Sequence, residues 1–94
     1  MKNILENFTY LGKRIPSYMY GPIEDYILHG DIDRDDFLWN VVTNNLVGVY
    51  KSADSTNINL IGVYVSFFYN EAPSNCWGSE ETVCKWIYTR RNGE

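Results

Sequence analysis

Apolar residues recur at helical spacing along most of this chain. Between residues 34 and 53 they fall three and four positions apart, which lays one apolar stripe along an α-helix. A neighbouring row is smaller and more polar, and at Gly48 it would let another helix approach closely. The pattern predicts one long central helix with Asp33 as its N-cap. The stripe consists of Trp39, Val42, Leu46, Val49 and Ala53.

A second strongly apolar segment covers residues 58–69. Ile58, Ile61, Val65 and Phe68 are spaced for one face of a helix. A strand is the alternative for this segment, because Val, Ile, Tyr and Phe also favour pleated structure. The helix is favoured, since the chain offers no second strand whose backbone groups would pair with a lone one.

Shorter helical patterns flank the two long ones. Residues 3–11 carry apolar residues at helical spacing, and Gly12 offers this helix a left-handed stop. A second helical pattern runs from Pro16 to Gly30. Ser79 caps a last helix. The sequence therefore predicts a single all-α domain over residues 1–94, with four to five helices and two long helices at its centre.

The composition narrows the classes of partner. The net charge is −4, and no basic face is apparent, which argues against binding of duplex nucleic acid. Eight tyrosines, three tryptophans and four phenylalanines exceed what a monomeric core of this size needs, so we expect a homo-oligomer, most simply a twofold dimer. No apolar leader or bilayer-spanning segment is recognisable, so we expect a cytosolic protein without a membrane partner.

Residues able to carry chemistry are few. Cys76, Cys84 and His29 form no recognisable metal-ligand or catalytic cluster. No glycine-rich phosphate loop or hydrolase motif is present. We therefore expect a binding protein without catalysis, cofactor or metal. The alternative from another class is a small enzyme that uses Cys76, in a loop, as its nucleophile.

The most informative candidate for binding is Trp77, in the loop before the last helix. As a plug, it would cover the end of the long helix pair near Asn45. As a binding residue, it would stand beside the free N–H groups at the start of the last helix, an arrangement that suits a nucleotide through base stacking and phosphate contact. The candidate binding residues are Arg14, Tyr18, Tyr20, Asn45, Trp77, Ser79 and Arg90.

Four short motifs occur together along the chain. They are Tyr26-Ile27 closing on Gly30, Phe37-Leu38 with Asn44-Asn45-Leu46, Ala53-Asp54 with Asn57, and Pro73 with Cys76-Trp77-Gly78-Ser79 before Trp86. In these motifs the chain resembles a group of small proteins encoded by tailed bacteriophages and prophages. The resemblance implies a phage protein acting in the cytoplasm of the host bacterium, and it implies no particular activity.

Small acidic phage proteins without catalytic residues often act on host machinery or host defences, which is an argument by association. We therefore expect an accessory or counter-defence factor that binds a host protein or sequesters a small nucleotide-like signal. A structural or assembly protein of the virion is a further alternative.

Overall fold

The computed structural model describes residues 1–93. In this range the chain forms six α-helices and no strand beyond one isolated bridge, which confirms the predicted all-α class. The helices are α1 (Lys2–Asn7), α2 (Tyr20–His29), α3 (Phe37–Val42), α4 (Leu46–Ser52), α5 (Ile61–Asn70) and α6 (Glu80–Arg91). Short 3-10 turns occupy Ser17–Met19, Asn57–Asn59 and Ser74–Cys76.

The prediction of one continuous central helix over residues 34–53 is wrong, because that segment is two helices, α3 and α4. Asn44 has a φ of 61°, a left-handed conformation that asparagine adopts more readily than most residues. The side chain of Asn45 then caps α4 by accepting a hydrogen bond from the N–H of Gly48 at 3.1 Å. Because of this break the described residues form six helices, more than the four to five predicted. Of the two long helices that were predicted, only the second, α5, forms as one helix.

The break also changes which side chains are buried. Trp39, Val42 and Val49 of the predicted stripe are buried. Leu46, which the stripe placed in the core, is 71% exposed. The periodicity of an unbroken helix no longer applies beyond the turn, so positions on either side of it do not share one face.

Two carboxylates organise the start of α3. Asp36 accepts a hydrogen bond from the N–H of Phe37 at 2.7 Å and is the N-cap. The predicted N-cap, Asp33, lies earlier in the preceding turn, where it accepts from the N–H of Asp35 at 2.9 Å. The prediction of Asp33 as the N-cap is therefore wrong by three positions.

α2 ends at Gly30, where the predicted helical pattern also ends, and Gly30 adopts the left-handed conformation with a φ of 70°. A Cβ atom at this position would also lie 3.1 Å from the carbonyl oxygen of Ile87 and 3.0 Å from the Cβ of Arg90. The glycine therefore serves two purposes, since it closes α2 and lets the end of α2 approach α6.

The predicted helix over residues 58–69 is confirmed from Ile61 onward, and a 3-10 turn over Asn57–Asn59 precedes it. Tyr64, Phe67 and Phe68 of α5 are fully buried and form the centre of the core. Phe37 of α3 meets Tyr64 edge-to-face at 5.1 Å between ring centroids. Such pairs add to the stabilisation from burial alone, and this one joins α3 to α5.

α1 ends at Asn7, earlier than the predicted end of a helix over residues 3–11. Tyr10 and Lys13 instead exchange backbone hydrogen bonds across a tight turn. The turn requires positive φ angles of 52° at Leu11 and 76° at Gly12. A helix cannot contain two such residues in succession, so the apolar spacing is overridden by the turn.

Candidate functional site

The loop before α6 packs on the end of α3. The N–H of Gly78 donates to the carbonyl oxygen of Val42 at 2.7 Å, which ties the loop to the last residue of α3. Trp77 is half-buried, and its ring centroid lies 6.2 Å from that of Phe68. These contacts agree with the interpretation of Trp77 as a plug over the core.

Ser79 and Arg90 lie at opposite ends of α6. Ser79 is the N-cap, as predicted, and its hydroxyl oxygen accepts from the N–H of Thr82 at 3.1 Å. Arg90 comes about 16 Å further along the helix axis. Its guanidinium carbon lies 4.3 Å from the ring centroid of Trp86, where a cation is favoured by the aromatic face. A phosphate held at the start of α6 would therefore not reach Arg90.

Arg14 and Tyr20 lie near each other at the N-terminal end of the fold. Arg14 donates from Nη1 to the carbonyl oxygen of Glu6 at 2.8 Å. Glu6 and Tyr20 line one open cavity of about 400 Å³, together with Glu24 and Lys2. Two carboxylates against one ammonium group make this cavity a poor site for an anion.

Tyr18 belongs to a hydrogen-bonded chain that runs into the core. Its hydroxyl donates to Asp54 at 2.7 Å, and Asp54 accepts from the backbone N–H of Asn57 at 2.6 Å. The side-chain oxygen of Asn57 in turn accepts from the hydroxyl of the fully buried Tyr64 at 2.5 Å. The backbone N–H of Asn57 and the hydroxyl of Tyr18 together lower the pKa of Asp54. This row of hydrogen bonds fixes the turn between α4 and α5, which gives Tyr18 a structural role.

Asn45 belongs to the smaller, more polar row of the predicted central helix, which would have placed it inside the fold; that expectation is wrong, because Asn45 is exposed. Its amide nitrogen donates to Asn40 Oδ1 at 3.2 Å. The Asn40 amide donates in turn to the carbonyl oxygen of Gly48 at 3.3 Å and to the hydroxyl of Ser52 at 3.1 Å. We call Asn40, Asn45, Gly48 and Ser52 the asparagine bracket, and it joins α3 to the inner side of α4.

The outer side of α4 is apolar. Leu46, Val47 and Tyr50 are 71%, 62% and 71% exposed, and we call these three residues the α4 face. Among the residues of α4, Val49 alone is buried. An ordinary surface helix turns apolar residues inward and polar residues outward. In α4 the outer side is instead apolar, while the inner side carries the polar bracket beside the buried Val49, and we call this arrangement the reversed polarity of α4.

Sequence reasoning missed the α4 face because it treated residues 34–53 as a single helix. The adjacent asparagines at positions 44 and 45 are the feature that would have indicated the break, since asparagine tolerates left-handed backbone and caps helices. With a break there, Leu46 leaves the predicted core. The predicted binding residues, by contrast, do not converge on one site, since Ser79 and Arg90 lie at opposite ends of α6.

The candidate nucleophile Cys76 is fully buried, and burial raises the pKa of its thiol to about 12. Its carbonyl oxygen accepts a hydrogen bond from the buried hydroxyl of Tyr26. Cys84 on α6 is half-buried. The Cys76 thiol therefore stays protonated at neutral pH and is shielded from solvent, which leaves it poorly placed to act as a nucleophile.

Residues 1–93 contain no cluster of metal ligands and no helix that could cross a membrane. Within that range, no group of three or more histidine, cysteine, aspartate or glutamate side chains is arranged to hold a metal ion. No helix among the same residues has the length and apolar character needed to cross a bilayer.

The fold and its surface define a small all-α domain with one helix of reversed polarity. Comparisons of the chain with protein-family models, with curated proteins and with solved structures found no match. The geometry of this chain is therefore the basis for inferring its function.

Proposed function

We propose that this chain is a non-catalytic binding protein that recognises another protein through the α4 face. The observation that carries the proposal is the reversed polarity of α4: Leu46, Val47 and Tyr50 face solvent while the asparagine bracket satisfies the inner side. Exposed apolar side chains that lie next to one another are typical of interaction surfaces. Tyrosine in particular is enriched at such surfaces.

The free energy available from burying the α4 face is enough for a helix that docks on a partner. Transferring Leu46 and Val47 from solvent into a partner's groove would contribute roughly 1–2 kcal/mol for each side chain, given their present exposure. An amphipathic helix that inserts its apolar residues into a groove is a recurrent mode of protein recognition. The bracket supports this mode, because it holds α4 in place without using the apolar side chains.

The biological setting in the proposal is a bacteriophage accessory or counter-defence factor that binds a host protein in the bacterial cytoplasm. It rests on the resemblance in the Cys76-Trp77-Gly78-Ser79 loop and its companion motifs. A protein target is favoured over a nucleotide signal, because the residues expected to hold a nucleotide are far apart. Ser79 and Arg90 mark the two ends of α6, and Tyr18 is bonded to Asp54.

The test is capture of proteins from infected bacterial cells by the tagged chain, its Tyr50→Glu variant and its Tyr69→Glu variant. Tyr69 on α5 is 76% exposed and is a matched control for Tyr50 on α4. We expect a host protein that the wild type and Tyr69→Glu capture and that Tyr50→Glu does not. Titration with that host protein, once purified, should give the same order.

Capture that is insensitive to Tyr50→Glu, or equally sensitive to both variants, would contradict the role of the α4 face. Copurification of the chain with phage particles, with unchanged α4 dependence, would identify the virion as the place of binding. A metabolite retained by the purified chain in mass spectrometry would instead support the nucleotide alternative.

A further inference from the structure

The α4 face lies in a part of the chain that is free of acidic residues. Residues 37–53 contain no aspartate or glutamate, and Lys51 is their one charged residue. The molecule as a whole carries a net charge of −4. Two copies of an acidic protein repel each other on most approaches, and repulsion is weakest where the facing surfaces carry no carboxylates.

We propose that a second copy of this chain covers the α4 face and that the protein forms a reversible twofold dimer through α4. This inference rests on the proposed function, because it names one partner of the same surface. A twofold interface pairs each residue with its counterpart reciprocally.

The short length of α4 fixes which residues would meet. A twofold axis midway between Val47 and Tyr50, with the two helices antiparallel, brings Val47 of one copy opposite the partner's Tyr50. The same operation brings Leu46 opposite the stem of the partner's Lys51, which is apolar along its methylene groups. Gly48 lies on the inner side with the asparagine bracket, so it takes no part in the contact.

The size of the surface sets the strength of the dimer. The accessible surface of the chain is 5654 Å², close to the value of about 5,600 Å² expected for a folded monomer of its mass. The single copy is therefore a complete folded unit. A face of three large side chains also falls short of the roughly 800 Å² per partner of a standard stable interface. Association should consequently be weak and dependent on concentration.

Sedimentation-velocity ultracentrifugation of the purified full chain, from about 1 μM to about 1 mM, measures this association. We expect the weight-average mass to rise from that of one 11.0 kDa chain toward that of two. Tyr50→Glu should keep the chain monomeric throughout, because it places two carboxylates near the axis. The control Tyr69→Glu adds the same charge at an equally exposed position on α5 and should dimerise like the wild type.

A second variant guards against misfolding as an explanation. Val47→Glu should also abolish dimerisation, and circular dichroism of both α4 variants should retain the helical spectrum and melting temperature of the wild type. A wild type that is monomeric at every concentration overturns the inference, and so does a dimer that persists in both α4 variants. A monomeric wild type whose capture of a host protein still depends on Tyr50 overturns the dimer and leaves the proposed function standing.

Discussion

The amide of Asn40 on α3 lies directly against Gly48 on α4, donating to its carbonyl oxygen at 3.3 Å. A methyl group on residue 48 would lie 2.5 Å from both Asn40 Oδ1 and Asn45 Nδ2. The two short helices are therefore joined by polar side chains at a distance that only glycine permits. Residue 48 was expected to allow close approach by another helix, and that helix is α3, the other half of the predicted central helix.

Gly48→Ala tests this close contact. Alanine has the better helix propensity by about 1 kcal/mol, so local structure alone would favour the change. The overlap with Asn40 and Asn45 opposes it, and both asparagines are already held by hydrogen bonds. We expect the contact to dominate and the free energy of unfolding to fall by roughly 1–3 kcal/mol in a denaturant titration.

Gly62→Ala on α5 is the matched control for the change at Gly48. A Cβ atom on residue 62 would meet only Tyr10 Cε2, at an ordinary contact distance of 3.7 Å. The propensity term then acts alone, and we expect a gain of roughly 0.5–1 kcal/mol. Equal effects of the two substitutions would mean that the bracket does not hold α4 as described.

Val49→Ala and Leu46→Ala distinguish the inner from the outer side of α4. Val49 is 4% exposed, so its truncation leaves a cavity and should cost roughly 1–3 kcal/mol of unfolding free energy. Leu46 is 71% exposed, so its truncation should change the unfolding free energy by less than about 0.5 kcal/mol. The measurement is a urea titration at a concentration low enough to keep the chain monomeric. A larger loss for Leu46→Ala would contradict the placement of the turn at Asn44.

The sequence is sufficient for the fold class, because helical spacing and caps at Gly30 and Ser79 depend on local chemistry. α5 could also be assigned, since its apolar residues find no strand partner. The break between α3 and α4 was not found, because the apolar spacing continues across Asn44 and Asn45 as though the helix were intact. The spacing of apolar residues indicates a helix, but it does not reveal a turn of the backbone within the same segment.

The surface was harder to predict than the core. Whether Leu46 is buried depends on the direction that the chain takes at Asn44, which is set by one left-handed residue. Ser79 and Arg90, two of the candidate binding residues, do not meet for a different reason, because they lie at opposite ends of one helix. Residues on a single rigid helix converge on a site only when they are close along its axis.

Trp77→Ala tests the plug over the end of α3. The side chain is half-buried against Phe68, so its loss should cost roughly 2–4 kcal/mol of unfolding free energy, at or below the range for a fully buried aromatic. Trp77→Phe, which keeps a ring on Phe68, should recover most of the loss. The measurement is urea unfolding followed by far-ultraviolet circular dichroism. If both variants unfold like the wild type, Trp77 has no structural role in the loop.

The hydrogen bonds around Asp54 make stability depend on pH. The backbone N–H of Asn57 and the hydroxyl of Tyr18 lower the pKa of Asp54 in the folded protein. A carboxyl group whose pKa is lower in the folded than in the unfolded state stabilises the fold above its unfolded pKa, about 3.9, and loses that contribution as the pH falls through its folded pKa. The contribution should therefore be complete near neutral pH and disappear in acid.

Asp54→Asn isolates this contribution, because the amide oxygen still accepts a hydrogen bond but the group does not titrate. We expect the wild type to be more stable than Asp54→Asn at about pH 6, and the difference between their melting temperatures to shrink as the pH falls below about 4. Tyr18→Phe removes one of the donors to Asp54. In the Tyr18→Phe background, the melting temperature lost on Asp54→Asn at about pH 6 should be smaller than in the wild type but not zero, because the backbone N–H of Asn57 still bonds Asp54. A difference that stays constant from about pH 6 to about pH 3 would mean that Asp54 titrates alike in the folded and unfolded states.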